Sequence, residues 1–180
     1  MKKVIFFNGL PGSGKLTIAN LLANKTGAKV IDNHKVNNLV FDIKEFGEDV
    51  PEEVWKFTGL VKDSLLELLS SLKQTDDYIF TGCLAKPTLN GYHRSKKLAD
   101  AIGAELFVIT LECSNEEVLN RADTPERRAR KKLTDIELYK KLMETKSIIN
   151  PDLPNCYTIN NTNQTPEETL VDVIKILECK

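Results

Sequence analysis

Gly9, Gly12, Gly14 and Lys15 stand close together in NGLPGSGKLTIAN, Asn8 to Asn20. Small residues at this density let successive backbone amides turn inward on an anion, because glycine adopts dihedrals that side chains exclude. The apolar run before them, KVIFFN, reads as a strand. The pattern after them places Ile18, Leu21 and Leu22 on one face with Gly27 as a stop, which reads as a helix. The start of that helix turns the positive end of its dipole toward the same anion. The arrangement is that of a phosphate-binding loop, G-x-x-x-x-G-K-[ST], except that Leu16 stands at the hydroxyl position and Thr17 follows it.

Two further groups could do chemistry beside such a loop. A second apolar run, AKVID, ends at Asp32. Ligands gather beyond the carboxyl ends of strands in open parallel sheets, so Asp32 should share a rim with the glycine loop. A carboxylate there can orient an acceptor hydroxyl or complete the surroundings of a metal ion. Its plainer role is to cap the helix that begins at HKVNNLVF. The stretch NRADTPERRARKK gathers Arg121, Arg127, Arg128, Arg130, Lys131 and Lys132. A guanidinium fork matches phosphate oxygens, and a solvated basic loop is the bland alternative.

The run GLPGSGKLT, Gly9 to Thr17, matches at every fixed position the G-x-P-G-S-G-K-x-T loop of adenylate-kinase-type enzymes. On those residues the chain resembles a small P-loop kinase of the nucleoside-monophosphate-kinase and shikimate-kinase-like group, an AAA-type ATP-binding protein. The resemblance implies ATP and Mg²⁺ as cofactors. It implies that Gly9, Leu10, Pro11, Gly12, Ser13, Gly14, Lys15, Leu16 and Thr17 form the nucleotide site, with Lys15 bridging the outer phosphates and Thr17 near the inner one. Mg²⁺ would then rest on phosphate oxygens, water and Asp32, with Thr17 nearby, as suits an ion that keeps several waters.

The same resemblance makes residues 122–134 a lid that closes over the phosphates. Arg121 would be the lid-base arginine that stacks on adenine. Arg127 and Arg128 would be the phosphate-reaching pair, without a choice between them. The loop after the fifth strand, NNTNQTP from Asn160, would border the base. Shikimate-type kinases carry Asp-x-Asp where this chain has Asp32-Asn33-His34, so the first acid is kept and the second is His34.

The acceptor should lie against helices spanning about 33–75. Wall candidates are His34, Asn37, Asn38, Phe41, Trp55 and Phe57, joined by Lys86, Tyr92, His93 and Arg94 from the segment after the third strand. His34, Asn38 and Arg94 are the preferred substrate-binding residues. Nucleoside-monophosphate kinases present arginines from the acceptor helices, but between Asn33 and Gln74 there are only lysines, among them Lys35, Lys56 and Lys62. The end of the third strand, FTGCL, also departs from the D-G-[FY]-P-R of adenylate kinases. A hydroxylated small molecule is therefore favoured over a nucleotide acceptor. An ATP-hydrolysing regulator without an acceptor, and a nucleotide kinase, are the alternatives. A GTP switch would need N-K-x-D after a late strand, and NKTG at Asn24 is misplaced and lacks the acid.

The elements that must position these residues alternate along the chain. Strands are expected at KVIFFN, AKVID, DYIFTGC, AELFVITLEC and NCYTIN. A helix is expected over about NHKVNNLVFDIKEF. A second starts near Pro51, with Val54, Phe57, Val61, Leu65, Leu68 and Leu72 as its apolar face. Capping boxes at Ser114/Glu117, Thr134/Glu137 and Thr165/Glu168 predict helix starts near 115, 135 and 166. Such alternation implies right-handed crossovers and an α/β fold. The expectation is one P-loop NTPase domain over 1–180, a three-layer sandwich on a five-stranded parallel sheet of order 2-3-1-4-5 with a basic lid.

Composition narrows the classes. The 180 residues carry a formal net charge of −1, which argues against a dedicated nucleic-acid binder. No stretch is apolar enough to span a membrane, and the run Val4–Phe7 is too short for a signal core. Cys83, Cys113, Cys156 and Cys179 are scattered singly, which argues against a zinc site and reads as reduced thiols of a cytoplasmic protein. Cys83 and Cys113 are expected as small core residues. The sequence leaves the oligomeric state open.

Overall fold

A computed structural model describes residues 1–41, 50–72, 75–84, 89–121, 124–125, 128, 134–145, 148 and 154–178. Lys86, Arg127, Arg130, Cys179 and most of the expected lid lie outside them, as do the last five residues, 42–46, of the expected helix over 33–46. The elements are β1 (Lys3–Asn8), α1 (Lys15–Thr26), β2 (Lys29–Ile31), α2 (Asn33–Phe41), α3 (Glu52–Ser71), β3 (Tyr78–Thr81) and α4 (Asn90–Ile102). They continue with β4 (Glu105–Glu112), α5 (Asn115–Asn120), α6 (Ile136–Thr145), β5 (Cys156–Asn160) and α7 (Pro166–Glu178).

The strands are parallel and lie in the order β2-β3-β1-β4-β5, with α-helices on both faces. Successive side chains of a strand point to opposite faces, and β1 shows the result. Ile5 and Phe7 join Ile79, Phe107 and Ile109 under Ile18 and Leu22 of α1 and Val173 and Leu177 of α7. Val4 and Phe6 join Phe80 and Val108 under Leu66 of α3 and Leu98, Ala99 and Ile102 of α4. Burial on both faces is why the strands read as continuous apolar runs.

The helix termini follow the sequence with local changes. Gly27 ends α1 in the left-handed region at φ 81°, and its N–H donates to Ala23 O. The box at Thr165 forms fully: Glu168 N–H donates to Thr165 Oγ1 (3.2 Å), and Glu168 Oε2 accepts from Thr165 N–H (2.8 Å). The box at Ser114 is half-formed. Ser114 Oγ accepts from Glu117 N–H, but Ser114 N–H donates to Thr162 Oγ1 and the Glu117 carboxylate goes to Arg121. The third start shifts by one residue, because Asp135 Oδ1 takes the cap at 3.0 Å from Leu138 N–H and Glu137 pairs with Lys140 instead.

The expected apolar face of α3 is only partly correct. Thr58 and Leu66 are buried, whereas Phe57, Leu68 and Leu72 are exposed together with Leu60. The helix meets α4 along Gly59, Asp63 and Glu67, where Arg94 and Lys97 make polar contacts, and this rotates the periodic stripe away from the sheet. Cys83 is exposed rather than a core residue, because it follows β3 out of the sheet, while Cys113 is half-buried.

Asn8 joins the ends of three strands. It is fully buried at the last position of β1, accepts from Leu84 N–H at 2.8 Å beyond β3 and donates to Thr110 Oγ1 at 3.1 Å in β4. Replacing it with alanine leaves these groups without their amide partner. Asn8→Ala should lower unfolding free energy by about 1–3 kcal/mol, read as a lower denaturation midpoint at unchanged slope.

Candidate active site

Beyond Asn8 the chain turns into the glycine loop at the carboxyl edge of the sheet. Gly9 has φ 141°, and a Cβ there would sit 2.6 Å from Leu111 O. Gly12 has φ 89°, and a Cβ there would meet Val118 Cγ1 at 3.1 Å. Gly14 caps α1 in the left-handed region, and the first turn of α1 carries no acid. A helix start bare of carboxylates keeps its amides and dipole for an anion.

The loop is gripped from outside. Buried Asn161 donates through Nδ2 to Ser13 O at 3.0 Å, and its own N–H donates to Glu112 O. Under Gly12, the fully buried Val118 of α5 and Tyr139 of α6 pack together. Lys15 folds its ammonium over the loop and donates to Gly9 O (2.8 Å) and Leu10 O (2.6 Å). Thr17 is exposed and Leu16 partly so, on the first turn of α1. Pro11 and Leu10 are half-buried, and Ser13 is buried.

Asp32 stands just past β2 and performs the capping role. Its Oδ1 accepts from His34 N–H at 3.0 Å, and its carbonyl accepts from Lys35 N–H. Asn33 beside it donates to Thr81 O at 3.0 Å, tying the ends of β2 and β3. Among the described residues no cluster of three or more His, Cys, Asp or Glu could hold a metal. One partly exposed carboxylate suits Mg²⁺ held mostly by phosphate oxygens and water, rather than a caged ion.

A cavity of about 330 Å³ opens next to these strand ends. It is bounded by Phe6, Asn33, Val36, Trp55, Lys62 and Arg94, and by the segment Gly82–Leu84. Phe6 reaches its floor because residue 82 is glycine; a Cβ there would lie 2.6 Å from Phe6 Cζ. Trp55 packs edge-on against Phe41 at 5.3 Å. Arg94 holds Asp63 at two points, Nε–Oδ1 2.7 Å and Nη2–Oδ2 3.1 Å, and its hydrogen bond keeps the Asp63 carboxyl below its ordinary value. Burial, with the Arg94 charge nearby, pulls the Lys62 ammonium down to about 8, against the opposing pull of Asp63.

Of the expected substrate residues, Arg94 lines this cavity. His34 and Asn38 are not among its lining residues; Asn33 and Val36 of the same helix are. Trp55 lines it, while Phe57 points to solvent and Tyr92 borders a separate groove with Lys96 and Asp100. Arg121, expected beside the base, pairs through Nε with Glu117 at 2.7 Å. Arg128 is exposed, and its N–H donates to Thr124 O. Sequence reasoning counted Lys62 only among the lysines of the acceptor helices and placed Asn161 only within a loop expected to border the base, without assigning either a role of its own.

Comparison with known proteins agrees with this geometry. A family model described as an AAA domain matches residues 5–142. A putative kinase from Chloroflexus aurantiacus shares the fold with TM-score 0.69 at 15% identity, over 98% of this chain and 99% of that one. The Mycobacterium tuberculosis APS kinase, solved with AMPPNP and APS, gives TM-score 0.60 at 17% identity over 98% of each chain. Shikimate kinase from Aquifex aeolicus gives 0.57 at 16%, over 98% of this chain and 96% of that one. No curated protein matches the sequence.

The left-handed backbone and tight underside of Gly12 make it a sensitive point of the loop. Strain of this kind costs about 1–3 kcal/mol. Gly12→Ala should therefore weaken binding of an ATP analogue roughly ten- to a hundredfold by calorimetry, with the far-ultraviolet dichroism of the fold retained.

Proposed function

This chain belongs to the AAA-domain family, and on that premise we propose that it is an ATP- and Mg²⁺-dependent kinase that transfers the terminal phosphoryl group to a hydroxyl of a small molecule. One observation carries the reading. The glycine loop and the cavity are joined by a hydrogen bond from Leu84 N–H at the cavity wall to Asn8 Oδ1, the residue before the loop. Two ligands bound there would lie side by side on the rim of the sheet, which is what transfer between them requires.

Each residue then has a task. The amides from Gly12 to Thr17 and the start of α1 hold the phosphates of ATP. Lys15 exchanges its loop carbonyls for outer phosphate oxygens and steadies the charge that spreads over them in transfer. Asp32 keeps one oxygen on His34 N–H, and the other makes no hydrogen bond among the described residues. That oxygen orients the acceptor hydroxyl and takes its proton, or faces the metal ion. Bound Mg²⁺ supplies charge neutralisation across the phosphates, with Asp32 and Thr17 as the residues that would border it. Arg121, Arg127 and Arg128 belong to the segment that closes over the nucleotide and excludes water. The acceptor sits in the cavity between Trp55 and Arg94.

Two variants test this. Lys15→Ala should reduce acceptor-stimulated ADP release by about 10²–10³-fold, the loss seen when one donor to developing charge is removed. Undiminished ATP binding and turnover in that variant would overturn the assignment. Asp32→Asn should reduce stimulated release by about 10²–10⁴-fold while leaving the KM for ATP nearly unchanged. A loss confined to KM for ATP would instead place Asp32 at the nucleotide.

A further inference from the structure

The cavity has an unusual charge composition. Among its described lining residues are two cations, Lys62 from α3 and Arg94 from α4, and no carboxylate. Asp63 neutralises part of Arg94 through Nε and Nη2, and Nη2 also lies 3.4 Å from Gly59 O. Arg94 Nη1 makes no hydrogen bond among the described residues, and neither does the ammonium of Lys62. The remaining described wall mixes apolar side chains, including Phe6, Val36, Trp55 and Leu65, with the amides of Asn33 and Asn90. Half-burying a cation without a partner is costly, and an unspent donor in such a cavity is a place for an oxyanion.

We propose that the cavity takes a small hydroxylated acceptor bearing a carboxylate or phosphate, and that Lys62, backed by Arg94, is the residue that selects for that anionic group. The inference rests on the kinase reading for the word acceptor, and on the cavity alone for the anion. The size agrees, since about 330 Å³ is at the small end of ligand pockets. Trp55 and its neighbours would cover the carbon skeleton, and the hydroxyl would face the strand ends where Asp32 stands.

A lysine gives this selection a property that an arginine could not. Among the described residues, the charged groups acting on Lys62 are Arg94 and Asp63, and Cys83 is the other titratable residue that lines the cavity. Burial and Arg94 lower its affinity for a proton, to about 8. Lys62 is therefore charged below that pH and loses its hold on an anion above it. An anion bound beside it favours the charged form, so binding above pH 8 takes up a proton.

The test reads Lys62 directly. Lysines of the full chain are reductively methylated with ¹³C, and the Lys62 signal is identified by its absence in Lys62→Arg. With the glycine loop filled by a non-hydrolysable ATP analogue, the signal is titrated with inorganic phosphate and with three- to seven-carbon hydroxycarboxylates and their uncharged amides. Phosphate or the carboxylates should raise its titration midpoint, and the amides should not; which anion acts distinguishes the two acceptor types. A midpoint moved by none of them, or moved equally by the amides, overturns the proposal.

In the kinetic arm, Lys62→Met should raise the KM for an anionic acceptor about ten- to a hundredfold, with kcat and the KM for ATP little changed. Lys62→Arg should restore binding and abolish its fall above pH 8. Equal KM values in wild type and Lys62→Met would count against selection by this residue. If the anion shifts the Lys62 signal but no hydroxylated molecule stimulates ADP release, the kinase reading fails and the anion subsite stands. If Lys15-dependent stimulated release is found and the signal stays fixed, the reverse holds.

Discussion

A loop that turns its own amides toward an anion has few side chains with which to hold its shape. In this protein Lys15 bridges Gly9 O and Leu10 O from within, and the rest of the grip comes from outside, from Asn161 on Ser13 and from Val118 and Tyr139 under Gly12. These outer residues come from just past β5 and from α5 and α6, so the loop near the start of the chain is completed only when the chain has closed around it. The parallel sheet makes this possible, because every strand ends on the same edge. Asn8 then couples that edge to the neighbouring cavity through Leu84 and Thr110.

The cavity is shaped by a second set of constraints. Phe6 is a core residue of β1 whose ring reaches the cavity floor only because position 82 lacks a side chain. On the opposite wall, Arg94 fastens α4 to α3 through Asp63 and Gly59. That polar clamp fixes the rotation of α3, carries Lys62 inward and leaves Phe57, Leu60, Leu68 and Leu72 facing solvent. The ion pair and the burial of Leu66 thus act on the same helix, one beside the cavity and one in the core.

Much of the architecture was legible in the sequence, for identifiable reasons. Strands buried on both faces cannot hide their continuous apolar character, and Gly9 to Thr17 declares its chemistry through backbone requirements that few other residues meet. What resisted reading depended on partners distant in sequence. The apolar periodicity of α3 named a stripe but not its direction, because that direction is set by Arg94. The capping boxes at Ser114 and Thr134 located helix starts, yet Thr162, Arg121 and Asp135 competed for their groups. Lys62 looked like any surface lysine until α4 was laid across from it. His34 held the attention due to Asn33, since one residue along a helix changes the facing by about 100°.

The ammonium of Lys15 already rests on Gly9 O and Leu10 O. The loop thus carries its own counter-charge, and its backbone oxygens are satisfied by a residue a few positions away. On the proposed reading, a nucleotide would offer that cation one set of oxygen acceptors in place of another. The positive charge is then stored in the loop rather than recruited.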